Sequence, residues 1–326
     1  MAQIKKILFI GGNRFSENGP LLSFFEVCKK KNLDCTLITD NEHLKYPCAN
    51  GNLFEKELDK KKLKFICVQS LNDINCHDLI KRADLIFSVN CRWILNKNLI
   101  QLAKGKIFNY HNSSLPEQQG AGCHSWRIMQ GIKKFHLTVH HLTEQIDEGD
   151  TIYEQEINVP AHCKNLIETY SFISEYEIEA FKSCLDGIIK TFPDIDIIHK
   201  KFRKSYYWPR LSTETNAFID WEWNVQEIKN FCHAFDEPFQ GASTFLDGER
   251  VWFKNVEVDE ENIEFHPFQY GIIYRIEKTK TWIAAKNGGL LVNDIIIPNK
   301  LKLKKGKRFI TDYETLLKAK KNFNLP

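Results

Sequence analysis

Residues 108–150 decide how this chain is read: Phe108-Asn-Tyr-His-Asn-Ser-Ser-Leu-Pro-Glu-Gln-Gln-Gly120, then, about a helix's length further on, Thr138-Val-His-His-Leu-Thr-Glu-Gln-Ile-Asp-Glu-Gly-Asp150. Ile107–His111 reads as a strand, so Asn109 and His111, two positions apart, project to the same side. Asp147 follows a second strand-like run in a turn-forming Asp-Glu-Gly-Asp segment. An amide, an imidazole and a carboxylate converging at strand ends suit acyl or one-carbon transfer. The imidazole moves a proton, the carboxylate orients it, and the amide holds a developing oxyanion. Each residue alone has a plainer reading: His111 as a hydrogen-bonded core histidine, Asn109 as a cap, Asp147 as a turn acid.

Upstream, Ile4–Ile10 reads as a buried strand, followed by Gly11-Gly12-Asn13-Arg14 and a helix-like Leu21–Lys31. Strands at Cys35–Thr39, Phe65–Val68, Asp84–Val89 and Ile107–His111 alternate with helix patterns at 75–83 and after Leu95, while residues 41–62 have no clear period. The pattern predicts an α/β doubly wound, mainly parallel sheet with its ligand site at the strand C-terminal ends. The first turn lacks Gly-x-Gly-x-x-Gly, so a dinucleotide cofactor has little support. Its backbone amides, with Asn13 and Arg14, are candidates to bind an anionic substrate group; a plain tight turn is the alternative. Leu166–Ile189 is a long amphipathic helix that would cover the sheet. A basic linker, Lys200–Ser205, sets the expected division into a catalytic domain, 1–203, and a smaller domain, 204–326. In the latter a helix at Val225–Phe235 precedes five short strands between 243 and 297, which suggests a small β-rich open barrel.

The spacing Asn-x-His-x-Ser-x-Leu-Pro-x-x-x-Gly is carried by Asn109, His111, Ser113, Leu115, Pro116 and Gly120. Thr-x-His-x-x-Thr-x-x-x-Asp-x-Gly-Asp is carried by Thr138, His140, Thr143, Asp147, Gly149 and Asp150. Both resemble the 10-formyltetrahydrofolate-dependent formyltransferases. The second half of the chain resembles the C-terminal domain of several members through Pro209-Arg210, Ile219-Asp220-Trp221 and Pro238-Phe-x-Gly-Ala242. The resemblance implies that Asn109, His111 and Asp147 form a catalytic trio and that N10-formyltetrahydrofolate is the formyl donor. Trp93, Leu95 and Ile100 would line its pterin pocket, and His140, Thr143 and Gln145 would lie on the facing strand and loop. The family commonly has Gly before Thr138, where this chain has Leu137, a departure that could reshape the strand. His-Asn-Ser-Ser-Leu-Pro and Tyr207-Trp-Pro-Arg-Leu-Ser-Thr213 are most similar to the nucleotide-sugar N-formyltransferases. That likeness implies an acceptor amine on a dTDP- or UDP-linked amino dideoxy sugar used in surface polysaccharides such as O-antigen and lipopolysaccharide, and a homodimer. The alternatives are a methionyl-tRNA formyltransferase and a non-catalytic nucleotide-sugar or folate binder. Glu117-Gln118-Gln119 stands where a tRNA-facing loop would more naturally be basic.

Composition bounds these readings. The chain has 326 residues, net charge +3 and 43% apolar residues, enough for a full-sized core and a second domain. No apolar run of eighteen residues occurs, and the start reads as a strand rather than a cleavable signal, so a cytoplasmic protein is expected. Ten scattered cysteines without Cys-x-x-Cys give metal binding little support and suit a reducing compartment. Cys91 and Cys123 would fall near the site, Cys123 being a small packed side chain or, less simply, a nucleophile. The lysine clusters read as solvated faces, so nucleic acid is not an expected partner. Tyr206, Trp208, Trp221 and Trp223 are expected to pack the domain junction; stacking on RNA is the rival use.

Overall fold

The computed structural model describes residues 4–13, 19–48, 50–198, 204–261, 263–298 and 301–323. Two compact units result: Met1–Gly120, Lys134–Val159 and Tyr170–Tyr207 form the first, and Ala121–Lys133, Pro160–Thr169 and Trp208–Pro326 the second. Arg14 and most of the expected linker lie outside the described residues.

The chain runs β1 (Lys6–Gly11), α1 (Pro20–Lys30), β2 (Asp34–Thr39), α2 (Asn41–Leu44), α3 (Phe54–Lys60), β3 (Lys64–Cys67), α4 (Ile74–Arg82), β4 (Leu85–Val89), α5 (Lys97–Ala103) and β5 (Ile107–His111). There follow β6 (Gln118–Gly120), α6 (Cys123–Met129), β7 (Lys134–His141), β8 (Thr151–Asn158), α7 (Leu166–Thr191) and β9 (Tyr206–Trp208). Side-chain caps start several helices: Asp40 accepts from His43 N, Asp73 from Asn75 N and Asn96 from Leu99 N, each satisfying an otherwise orphaned N–H. The stretch 41–62, which shows no period in sequence, holds two helices of four and seven residues, too short for a 3.6-residue repeat to register. Phe54 and Leu58, one turn apart, are both fully buried there.

The seven-stranded sheet of the first unit has the order β3-β2-β1-β4-β5-β7-β8. Strands β1 to β5 are mutually parallel, as the alternating pattern predicts. β7 runs antiparallel to β5, and β8 antiparallel to β7, so the sheet is mainly but not wholly parallel, as expected. The chain leaves β5 at its C-terminal end and re-enters the sheet at that same end, so it can only run back. The pleat divides the core into two faces. Ile7, Phe9, Phe87 and Phe108 join Phe24 and Phe181 on one face, where the Phe24 and Phe181 rings stack at 4.0 Å. Leu8, Ile10, Ile86 and Ile107 join Ile80, Leu99 and Ala103 on the other. Each buried Phe or Leu contributes about 2 kcal/mol. By alternation Asn109 and His111 share the second face with Ile107. Leu137 does not break β7; it is fully buried in the first cluster.

In the second unit α8 (Thr213–Asn216) and α9 (Val225–Ala234) precede β10 (Ala242–Leu246), β11 (Glu249–Val258), β12 (Ile273–Glu277), β13 (Lys280–Ala285), β14 (Gly288–Ile296), β15 (Phe309–Ile310) and α10 (Tyr313–Lys321). The six strands form an antiparallel half-barrel sheet, order β12-β13-β14-β11-β10-β15. α9 begins with a full capping box, Asn224 and Glu227, and buries Ile228, Phe231 and Cys232 in the cluster formed with Phe253, Ile283 and Phe309. Trp221 belongs to this core, its Nε1 donating to Thr244 Oγ1 at 3.0 Å. Tyr206 and Tyr207 are exposed rather than packed, because β9 lies in a two-stranded ribbon with β6 and not in either large sheet.

Candidate active site

The antiparallel return of β7 builds the site. Asn109 lies directly opposite His140, and His111 opposite Thr138. Such pairs hold side chains of one face within reach of each other. Asn109 Nδ2 donates toward His140 Nε2 at 3.2 Å. His140 Nδ1 in turn sits 2.9 Å from the carbonyl of His141, so Nδ1 carries the proton and Nε2 accepts. Thr138 Oγ1 donates to Ser113 O at 2.6 Å and ties the turn after β5 to β7.

Asp147 is brought back over these strands by its loop. A Cβ on Gly149 would stand 1.7 Å from the carbonyl oxygen of His141, so only glycine lets the chain fold this tightly onto β7. His141 N donates to Asp150 O at 2.9 Å across the neck of the loop. Asp147 itself has φ of 55°, a left-handed conformation that aspartate tolerates better than most residues. Its Oδ1 lies 3.4 Å from Asn109 Nδ2, 3.5 Å from His140 Nε2 and 3.8 Å from His111 Nδ1. Its Oδ2 accepts from the backbone N–H of Gly120 at 2.8 Å. Gln119 Nε2 donates to the Asp147 carbonyl at 3.4 Å. Burial works against the carboxylate charge, but the electrostatic attraction of the neighbouring His111 and His140 side chains and the Gly120 N–H outweigh it. They hold the carboxyl down at about 2. Asp147 is therefore an anion at any physiological pH.

His111 Nε2 lies 3.0 Å from the carbonyl oxygen of Gln118. The turn that carries this carbonyl is bonded within itself: Ser113 Oγ donates to Gln118 Oε1 at 2.5 Å, Ser114 Oγ to Glu117 Oε2 at 3.0 Å, and Gln118 N to Ser114 O at 2.8 Å. Tyr206 N donates to Glu117 O at 3.2 Å. Asn109 and His111, two positions apart on β5, thus converge on the carboxylate of Asp147, which lies far from them in sequence.

The remaining candidates divide. His140, expected beside the folate, is 1% exposed and touches Asn109 and Asp147. Trp93 and Ile100 are half-buried and Leu95 is buried, all against the same apolar cluster, to which Leu142 also belongs. Lys97 Nζ, on α5, lies 3.6 Å from Glu144 Oε1, so the 93–100 segment and the 142–147 loop are neighbours. Thr143 is half-buried and Gln145 exposed; Thr143 Oγ1 donates to Gln145 O at 3.1 Å. Asn13 stands at the end of β1, 3% exposed. Its Nδ2 donates to Cys48 Sγ at 3.7 Å, its carbonyl accepts from Asn90 Nδ2 at 3.2 Å, and its Oδ1 has no partner among the described residues. Cys91 has its thiol pushed up to about 11 by burial, and Cys123 is buried. All ten cysteines are free thiols. Among the described residues no group of three or more His, Cys, Asp or Glu is arranged to hold a metal ion. No helix among them is long and apolar enough to cross a membrane. Sequence reading missed the Gly120 N–H and the Gln118 carbonyl, since backbone groups leave no trace in residue identity beyond the turn-forming residues around them.

Comparison with known proteins defines the class. The formyl transferase model matches residues 68–182 and the formyl transferase C-terminal domain model residues 211–313. The chain belongs to the formyltransferase family. It is 25% identical over 250 residues to the methionyl-tRNA formyltransferase of Thermotoga neapolitana, covering 75% of this chain and 76% of that one. Among solved structures it is similar to WlaRD, a sugar 3N-formyl transferase (TM-score 0.63, 16% identity, 92% of this chain and 100% of that one). It is also similar to the 4-N formyltransferase of Francisella tularensis (TM-score 0.60, 21% identity, 78% and 98%).

Proposed function

We propose that the protein transfers the formyl group of N10-formyltetrahydrofolate to the amine of a nucleotide-linked amino dideoxy sugar. The observation that carries the choice of acceptor is the turn after β5. Glu117-Gln118-Gln119 is short, has no basic residue and is bonded onto Ser113 and Ser114. An RNA acceptor, whose affinity rests on phosphate neutralisation, would find no cation there. The structural relatives support the same choice: one was solved in the presence of dTDP and 5-N-formyl-THF, another, from Helicobacter canadensis, with folinic acid and dTDP-3-aminofucose. Methionyl-tRNA formyltransferase is the second reading, favoured by the names of most curated relatives.

The residues fit a folate donor. The backbone N–H groups of Trp93, Ile94 and Leu95 have no partner among the described residues, and Trp93 is only half-buried beside them. A pterin edge can be read by such backbone groups and an apolar wall without charged side chains. Asn13, with Arg14 beside it in sequence, is the candidate for the substrate's anionic part. When bound, the donor supplies a formyl carbon already activated by its attachment to nitrogen. The acceptor amine must be neutral to attack it. His111 takes the amine proton, and anionic Asp147 stabilises the imidazolium so formed. The long 3.4 Å contact of Asn109 to Asp147 leaves that N–H recruitable by the developing oxyanion, a donor worth about 3 kcal/mol.

The test is a formylation assay with 10-formyltetrahydrofolate, a panel of dTDP- and UDP-linked 3-amino and 4-amino dideoxyhexoses, and charged initiator tRNA. Mass spectrometry reads the gain of one formyl group, with His111→Asn as control. A formylated sugar supports the proposal and names the substrate. Formylated tRNA alone replaces the acceptor and keeps the chemistry.

A further inference from the structure

We infer that Gln118 is a positioning residue that selects which nitrogen of His111 moves the proton. The inference rests on formyl transfer at this site and extends it to one atom. A carbonyl oxygen only accepts, so the 3.0 Å contact between Gln118 O and His111 Nε2 requires the proton on Nε2. The basic nitrogen is then Nδ1, which faces the Asp147 carboxylate at 3.8 Å. Asp147 is anionic, so Nδ1 gains a proton readily and the resulting cation is held between two acceptors, the Gln118 carbonyl and the carboxylate. During transfer the N–H bond of the acceptor amine breaks and the Nδ1–H bond forms. As the bond from the formyl carbon to the donor nitrogen breaks, that proton passes to the departing nitrogen.

What fixes the Gln118 carbonyl is its own side chain. Ser113 Oγ and the backbone N–H of Ser114 both donate to Gln118 Oε1, at 2.5 and 3.4 Å. Two donors meeting on one atom identify it as the oxygen of the amide. The Gln118 backbone N–H donates to Ser114 O, so the residue is held through its backbone N–H as well as through its side chain. The side chain therefore acts as an acceptor staple. Its loss lets the carbonyl turn away, frees Nε2, and allows the imidazole to populate the other tautomer, with its base directed away from Asp147.

Three variants test this: Gln118→Leu, which removes the acceptor at similar size; Gln118→Glu, which keeps it; and Ser113→Ala, which removes the shorter of the two side-chain bonds. Nitrogen-15 spectra of labelled histidine, with the His111 signals assigned by their loss in His111→Asn, report the tautomer. Wild type is expected as the Nε2–H form and Gln118→Leu as a mixture. Expected kinetics are a roughly tenfold fall in kcat for Gln118→Leu with KM for donor and acceptor within twofold, recovery of most of the rate in Gln118→Glu, and a smaller loss in Ser113→Ala. If Gln118→Leu does not fold, Ser113→Ala carries the test through the same two readouts. The inference is overturned if wild-type His111 carries its proton on Nδ1, or if the staple-free variants keep both tautomer and kcat. Either result leaves formyl transfer by the wild type untouched.

Discussion

Two buried histidines, one in each unit, behave in opposite ways. His140 lies within 3.5 Å of both an amide nitrogen and a carboxylate oxygen, at the mouth of a sheet whose strand ends gather Asn109, His111 and Asp147. His233, on α9, is also buried, and its Nε2 meets the carbonyl oxygen of Val256 at 2.7 Å. Burial is the main influence on His233, and it pushes its pKa below the ordinary value. The histidine in the second unit fastens a helix to a strand. The histidines in the first surround an anion, Asp147, that the fold keeps charged at some cost in desolvation. Burial alone does not separate the two situations. A deliberately ionised partner does, and the polar cluster of the first unit should therefore govern rate, while that of the second governs stability.

The largest effect is expected for Asp147→Asn. The amide can still accept from Gly120 N–H, so the melting temperature should stay within a few degrees, while kcat falls by about a thousandfold or more as His111 loses its counter-charge. Next comes Asn109→Ala, expected to lower kcat about a hundredfold with little change in KM, the signature of a group that acts in the transition state. A variant that instead raised KM alone would move Asn109 from oxyanion stabilisation to binding. Against these stands His233→Ala. It removes the imidazole bond to the Val256 carbonyl and leaves a cavity where the buried ring stood, which should cost about 2–3 kcal/mol in urea unfolding. The activity per folded molecule should not change. A thousandfold activity loss in that variant would erase the division between the two units.

The same contrast explains what the sequence made legible. The strand β5 and the same-sided projection of Asn109 and His111 follow from period-two alternation, and both ends of that strand coincide with the pattern. Asp147 was recognisable as a turn acid, and the family spacing tied it to the other two. The direction of β7 was not legible, because strand alternation reads identically in parallel and antiparallel pairing. With it went the true neighbourhood of His140, which becomes the partner of Asn109 only once β7 runs backwards. The Gly149 contact with His141, the backbone N–H of Gly120 and the Gln118 carbonyl were hidden for a related reason, since they are backbone approaches set by tertiary folding. In the second unit the strands were legible by their turns, whereas β15, two residues long, is too short to carry any pattern.

The smallest effect tests the structural histidine through pH. Because the folded-state pKa of His233 lies below its unfolded value of 6.5, the unfolded chain takes up a proton that the folded chain resists. Its contribution to stability is complete above that value and is lost as pH falls below it. His43 and His141 are shifted in the same direction, also chiefly by burial, so wild-type stability should decline between pH 7 and 5.5 through all three. His233→Gln retains a donor for Val256 but cannot titrate. Urea unfolding of this variant should lose less between those two pH values than wild type, by up to about 1 kcal/mol. The anion of the first unit should take no part in that window, since Asp147, held at about 2, stays ionised throughout it. A carbon-13 titration of its carboxyl would place its midpoint well below the ordinary carboxylate range. Identical pH slopes for wild type and His233→Gln would mean that the second unit's histidine takes up its proton as readily in the folded as in the unfolded chain, so that burial beside Val256 does not oppose its charge.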